Sequence, residues 1–158
     1  MAKIDDIFHD FAAAFTGAVG DAKPIGFPHK LRREALDLSL GSLKQVDIYL
    51  SYLHQQQMQL SDQEWQTTVL YSGAYVGEVI RSETNNAYHW IDYNDYMPTH
   101  PELQAIIPER STPTCAFLVN DKGVMSMPLN KVARAIDEGV GNSVQFFAHV
   151  YITKEKDT

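Results

Sequence analysis

A single cysteine, Cys115, is all that 158 residues provide. No internal disulfide can form, and a lone thiol suits a reducing compartment. It falls in Thr114-Cys-Ala-Phe-Leu-Val, a run that reads as a buried strand where cysteine acts as a small apolar residue. Long hydrophobic runs are also missing: none approaches the roughly 20 residues that span a bilayer. The start, Met1-Ala-Lys-Ile-Asp-Asp, has no apolar stretch ahead of a small-residue cleavage site, and Asp5, Asp6 and Asp10 do not suit a transit peptide. A cytoplasmic location without membrane attachment is the expectation.

The motifs of several chemistries are missing too. The six histidines, His9, His29, His54, His89, His100 and His149, include no pair at i, i+4 and no His-Glu-x-x-His run, so a helical metal site is not expected. Gly139-Val-Gly-Asn-Ser is a lone Gly-x-Gly after a helix, whereas a dinucleotide fingerprint follows a strand. Without a phosphate loop or a Gly-x-Ser-x-Gly elbow, neither a bound cofactor nor a serine hydrolase is expected.

Basic charge is scarce in one region. The chain carries 13 Lys and Arg against 20 Asp and Glu, a net of −7. Residues 1–60 contribute −1 and residues 112–158 contribute nothing. Residues 61–111 hold only Arg81 and Arg110 against eight acids, a net of −6. With no basic stripe, direct binding to nucleic acid is not expected. Regional acidity favours a basic protein partner or a cationic ligand through long-range steering; solubility accounts for it equally well.

What is present is a globular composition, 44% hydrophobic and 21% charged, at a length suited to one domain over 1–158. Ile4, Ile7, Phe8, Phe11 and Phe15 recur at helical spacing, predicting a helix over 4–19 that Gly17 and Gly20 end. A loop over 20–28 follows. Leu36, Leu38 and Leu40 alternate with Asp37 and Ser39, which suits an extended stretch. Ser42 with Gln45 opens a helix to about residue 57, and Ser61 with Glu64 opens the next. Residues 88–93 read as a strand. Pro101 and Glu102 begin a short helix ending near residue 107. Residues 115–119 and 124–127 form a hairpin across Asn120-Asp-Lys-Gly123, and a helix follows Pro128. In 143–153, Val144, Phe146, Ala148, Val150 and Ile152 alternate with Gln145, His149 and Thr153, predicting a last strand. The fold class expected is α+β: helices of the first half packed on one face of a three- to four-stranded antiparallel sheet formed mainly by the second half.

The helix over 61–82 is the most informative segment. On a helical wheel Trp65, Val69, Val76, Val79 and Ile80 cluster, while Leu70 and Ala74 lie around the other side, so the helix is apolar nearly all round and central. Gly73 and Gly77, four apart, each cost roughly 1 kcal/mol against alanine. They make a notch where another element can approach. Glu78 is the only charge in 66–80. A buried carboxylate must be paired, hydrogen-bonded or protonated, and Arg81 is within reach at i+3. One reading makes Glu78 a pocket carboxylate that binds a cation or works as an acid/base. The other makes it structural, paired with Arg81 or with a backbone donor. Trp90 and Asp92 share a strand face and, on a strand running back along the helix, would lie near Glu78 and Arg81. The candidate ligand-binding set is therefore Glu78, Arg81, Trp90 and Asp92.

Two patterns, Leu36-Asp-Leu-Ser-Leu-Gly-Ser-Leu-Lys-Gln-Val-Asp-Ile-Tyr-Leu50 and Gly73-Ala-Tyr-Val-Gly-Glu-Val-Ile-Arg81 with Trp90 behind it, resemble a loose group of small uncharacterised bacterial cytosolic domains. Val124-Met-Ser-Met-Pro-Leu-Asn-Lys-Val fits the same order. The resemblance covers about residues 36–140. It implies a fold and a bacterial source without an activity, and it draws attention to Asp47 and Glu78, the acids inside the patterns.

Three functions follow, in this order. The first is a non-enzymatic interaction protein, concretely an acidic immunity-type partner of a basic protein toxin. The second is a small-molecule binding or sensing domain with its pocket near Glu78. The third is an enzyme using Glu78 as acid/base. The sequence assigns no oligomeric state.

Overall fold

The computed structural model describes residues 3–19, 22–139 and 141–157. Helices α1 (Lys3–Thr16), α2 (Leu43–Gln55) and α3 (Asp62–Glu83) precede the first strand. Strands β1 (Tyr88–Asp92), β2 (Ala116–Asn120) and β3 (Met125–Ser126) follow, with short helices α4 (Tyr93–Tyr96) and α5 (Pro101–Ile106) between β1 and β2. Helices α6 (Pro128–Glu138) and α7 (Val144–Lys156) come last. The sheet is antiparallel in the order β1-β2-β3, with Trp90 opposite Leu118 and Leu118 opposite Ser126. The fold is α+β. Among the described residues no helix is long and apolar enough to cross a membrane.

Helix α3 is the axis of the molecule. Its start has both bonds of a capping box: Glu64 N–H donates to Ser61 Oγ (3.1 Å) and Ser61 N–H to Glu64 Oε1 (2.9 Å), which satisfies two otherwise orphaned donors. From Thr67 to Arg81 every residue except Leu70 is buried. The glycine notch is used twice. A Cβ at Gly73 would lie 2.8 Å from Leu129 Cα on α6, and one at Gly77 would lie 2.5 Å from Trp90 Cη2 on β1. Absent side chains let α6 and β1 press directly on the α3 backbone.

The main core gathers Phe8 and Phe15 of α1, Val46 and Leu50 of α2, the apolar residues of α3, and Trp90 and Leu118 of the sheet. The other sheet face carries Phe117, closed over by Tyr93, Tyr96 and Met97 from the α4 region. One face thus packs on the long helices, and a short excursion of the chain seals the other.

Two sequence expectations are overturned. Residues 143–153 form helix α7. The subset Val144, Ala148 and Ile152 is spaced by four and buried, whereas Phe146 and Val150 are 67% and 38% exposed. Ser143 Oγ accepts from Phe146 N–H (3.1 Å), a helix N-cap that a strand would not need. Among the described residues the sheet therefore has three strands. The stretch 36–40 is also not extended. Ser39 N–H donates to Asp37 Oδ1 (3.1 Å), closing a tight side-chain turn, and Leu38 sits at φ 66°. Gly17 ends α1 in the left-handed region at φ 86°; Gly20, the second expected stop, lies outside the described residues.

Candidate functional site

Asp5 and His9 stand one turn apart on α1, so they share a face. Phe8 on that face stacks on Trp90 with ring centroids 4.2 Å apart. This contact brings both polar residues against α3 and β1. Asp5 accepts from the Trp90 backbone N–H (2.8 Å) and from His89 Nδ1 (3.0 Å). Glu78 accepts from the Trp90 indole Nε1–H (3.0 Å), Arg81 Nη1 (3.1 Å) and His9 Nδ1 (3.2 Å). Arg81 lies between the two carboxylates: its Nη2 is 3.6 Å from Asp5 Oδ2, and its Nε donates to the Tyr88 carbonyl (3.0 Å).

Burial sets the electrostatics. Asp5 is 0% exposed, and Glu78 and Arg81 are 6% exposed. Two buried carboxylates share one guanidinium, so the interior of the cluster is one positive charge short. A buried charge without full compensation costs several kcal/mol per ion. The two histidines stand at the surface, with side chains 65% and 53% exposed for His9 and His89. Each points Nδ1 at a carboxylate, which leaves Nε2 facing away from it.

Glu78 also lines open space. A cavity of about 430 Å³ is bounded by Asp6, His9, Leu38, Glu78, Arg81, Ser82 and the Asn85-Asn86 turn. A second, of about 290 Å³, shares His9, Leu38 and Glu78 with it and runs on along Ala12, Ala13, Thr16, Leu36 and Asp37. Together they form a cleft between α1 and α3 with a polar end and a largely apolar end. Among the described residues four non-glycines have positive φ, and three of them, Leu38 (66°), Asn85 (53°) and Asn86 (62°), are in this wall. Asparagine adopts that region readily, but leucine does so at a cost. Leu38 is held there by its N–H donating to Tyr75 Oη (2.9 Å).

Of the four residues singled out from sequence, Glu78, Arg81 and Trp90 meet. Asp92 does not join them. It ends β1, where its Oδ2 accepts from Asn94 N–H (2.8 Å) to cap α4 and its Oδ1 pairs with Arg110 (2.9 Å). The strand stops there, and the carboxylate turns to the new helix terminus. Asp47 lies elsewhere, taking Ser143 Oγ–H (2.6 Å), Val144 N–H (2.7 Å) and Gln145 N–H (3.3 Å) at the start of α7. Cys115 is half-buried just before β2, and burial pushes its thiol above the ordinary range. Among the described residues no group of three metal-ligating side chains converges.

Asp5, His9 and His89 were not singled out from sequence. One signal was present: Asp5 continues, at spacings of three and four, the stripe of buried Phe8, Ala12 and Phe15. An acid on the apolar stripe of a helix must find donors inside. His89 carried no such mark, because only the packing of α1 against β1 brings it to Asp5.

Comparison with protein-family models, with curated proteins and with solved structures yields no match.

Proposed function

We propose that this chain is a non-enzymatic interaction domain that recognises a cationic group of a basic protein partner at the α1–α3 cleft. The observation that carries the reading is the charge shortage: among the described residues Asp5 and Glu78 share one guanidinium, Arg81, at the wall of an open cavity. Their other ionisable partners are the exposed imidazoles of His89 and His9. A ligand cation there meets a negative field that the low-dielectric wall strengthens. Exposed Asp6 at the cleft adds charge of the same sign. An acidic immunity protein covering a basic toxin is the concrete version. The likeness of Gly73–Arg81 to the helix of small bacterial cytosolic domains belongs to the same proposal and supplies its setting.

A second reading, a small cationic molecule in the same cleft, is favoured by the size of the cavities, which suits a small ligand. The acid/base enzyme reading draws no support from the geometry, since both Glu78 oxygens already accept hydrogen bonds.

Calorimetric titration of the full chain with octalysine tests the proposal. Binding at low salt that weakens steeply as salt is raised and is absent for octaglutamate supports it. No heat and no mobility shift with octalysine at low salt overturns it.

A further inference from the structure

The two cavities differ in character. The polar end has Asp6, His9 and the Asn85-Asn86 turn around the Glu78 and Arg81 wall. The other end is walled by Ala12, Ala13, Leu36 and Leu38, with Asp37 and Thr16 the polar groups at its edge. They meet at Glu78. A ligand that fills both ends must therefore place a cation beside the carboxylates and a short saturated chain against the alanine face of α1. The surroundings favour an ammonium over an anion. The cluster is one positive charge short, Asp6 and Asp37 add negative charge at the two ends, and Arg81 is occupied by Glu78, Asp5 and the Tyr88 carbonyl. An entering carboxylate or phosphate would face these acids with no free guanidinium to receive it.

The backbone supports a built cavity. Leu38 forms the waist between the two ends. Its left-handed conformation is held by Tyr75, three residues before Glu78 on α3, whose hydroxyl accepts the Leu38 N–H. Strained residues persist where surrounding structure fixes them, and they cluster at binding sites.

We infer that the cleft is a slot for a primary alkylammonium group, of the kind carried by a lysine side chain or a free aliphatic amine. The inference rests on the cationic-partner reading and narrows it to a chemical class and a location. The ammonium sits among Asp6, His9 and the amide side chains of Asn85 and Asn86, and the methylene chain runs along Ala12 and Ala13.

The test is an amide chemical-shift titration of the full chain with n-hexylamine, hexanoate and hexanol, repeated for Ala13→Leu and Asp6→Asn. Ala13 is half-buried and Asp6 exposed, so both variants are expected to fold. The expected result is saturable shifts at both ends of the cleft with hexylamine only. Ala13→Leu, which fills the apolar end, should weaken binding at least tenfold, and Asp6→Asn about threefold. Equal response to hexanol or hexanoate, or hexylamine affinity unchanged in Ala13→Leu, overturns the slot. Octalysine moving the same resonances assigns the ammonium to a protein side chain; free amine binding without octalysine binding assigns it to a small molecule and removes the protein-partner reading alone. Octalysine binding that leaves the cleft resonances unmoved, with no response to hexylamine, removes the slot alone.

Discussion

Asp47 and Glu78 are both acids on buried helical patterns, yet their surroundings differ in kind. Asp47 is satisfied by a hydroxyl and two backbone N–H groups at the start of α7. These donors are fixed in charge, and the helix dipole supplies the field. Glu78 is satisfied wholly by side chains, one a guanidinium shared with Asp5 and one an exposed imidazole, at the wall of a cleft. A carboxylate held by backbone donors has spent its chemistry on folding. One held by shared and exposed side chains keeps a charge that a ligand can compensate.

The strongest way to break this contrast is to remove the shared cation. Arg81→Leu leaves Asp5 and Glu78 buried together without it, and should destabilise the fold by about 3–5 kcal/mol. Urea unfolding measures the loss. Adding Asp5→Asn in that background should restore part of it, because one buried charge is then gone. If Arg81→Leu costs under about 1 kcal/mol, the carboxylates are compensated by something other than Arg81 and the charge shortage is not real.

The glycine notch separates packing from site. A methyl at Gly73 meets the Leu129 backbone, and one at Gly77 meets the Trp90 ring. Overpacking of this kind costs about 1–3 kcal/mol, reduced by the roughly 1 kcal/mol that alanine gains in a helix. Both Gly73→Ala and Gly77→Ala should lower the midpoint of thermal unfolding. Only Gly77→Ala should also weaken hexylamine binding, because displacing Trp90 disturbs its indole bond to Glu78. Equal binding in the two variants would detach Trp90 from the cleft.

Most of the long helices were legible because their signals were local. The Ser61/Glu64 capping box, the all-round apolar surface of α3 and the Gly73/Gly77 pair each rest on residues within one or two turns. The strand expected at 143–153 failed because an alternation contains an i, i+4 stripe: Val144, Ala148 and Ile152 fit both periods. Of the groups that hold the helix start, Ser143 is local, while Asp47 is almost a hundred positions away. The site was half legible for the same reason. Glu78 with Arg81 is an i, i+3 pair on one helix, and Trp90 follows one turn later in the chain. Asp5 and His9 come from the far N-terminal helix, and His89 joins Asp5 only through the packing of α1 on β1. Asp92 was misplaced because period-two alternation assumes the strand continues, whereas the chain turns into α4 at that residue.

The Asp47 corner predicts a smaller effect. Asp47→Ala removes the acceptor from the first turn of α7, though Ser143 retains its own cap on Phe146. A loss of about 1–2 kcal/mol is expected, with faster hydrogen exchange in α7 and no change in hexylamine affinity. A changed affinity would show that the corner and the cleft are coupled after all.

Tyr88 supplies the smallest effect and a control for both regions. Its ring is fully buried, and among the described residues its hydroxyl has no hydrogen-bond partner. Burial first, then the charge of Glu155, pushes that hydroxyl up to about 12. Removing a buried polar group that makes no bond relieves desolvation without losing an interaction. Tyr88→Phe should therefore be neutral or stabilise by up to about 1 kcal/mol in urea unfolding. Its backbone carbonyl still receives Arg81 Nε, so the cluster and hexylamine affinity should stay unchanged. If Tyr88→Phe instead destabilises by more than about 1 kcal/mol, the hydroxyl has a partner such as a bound water, and burial alone does not mark a polar group as idle. The distinction drawn between Asp47 and Glu78 would then have to rest on the cleft and its missing charge.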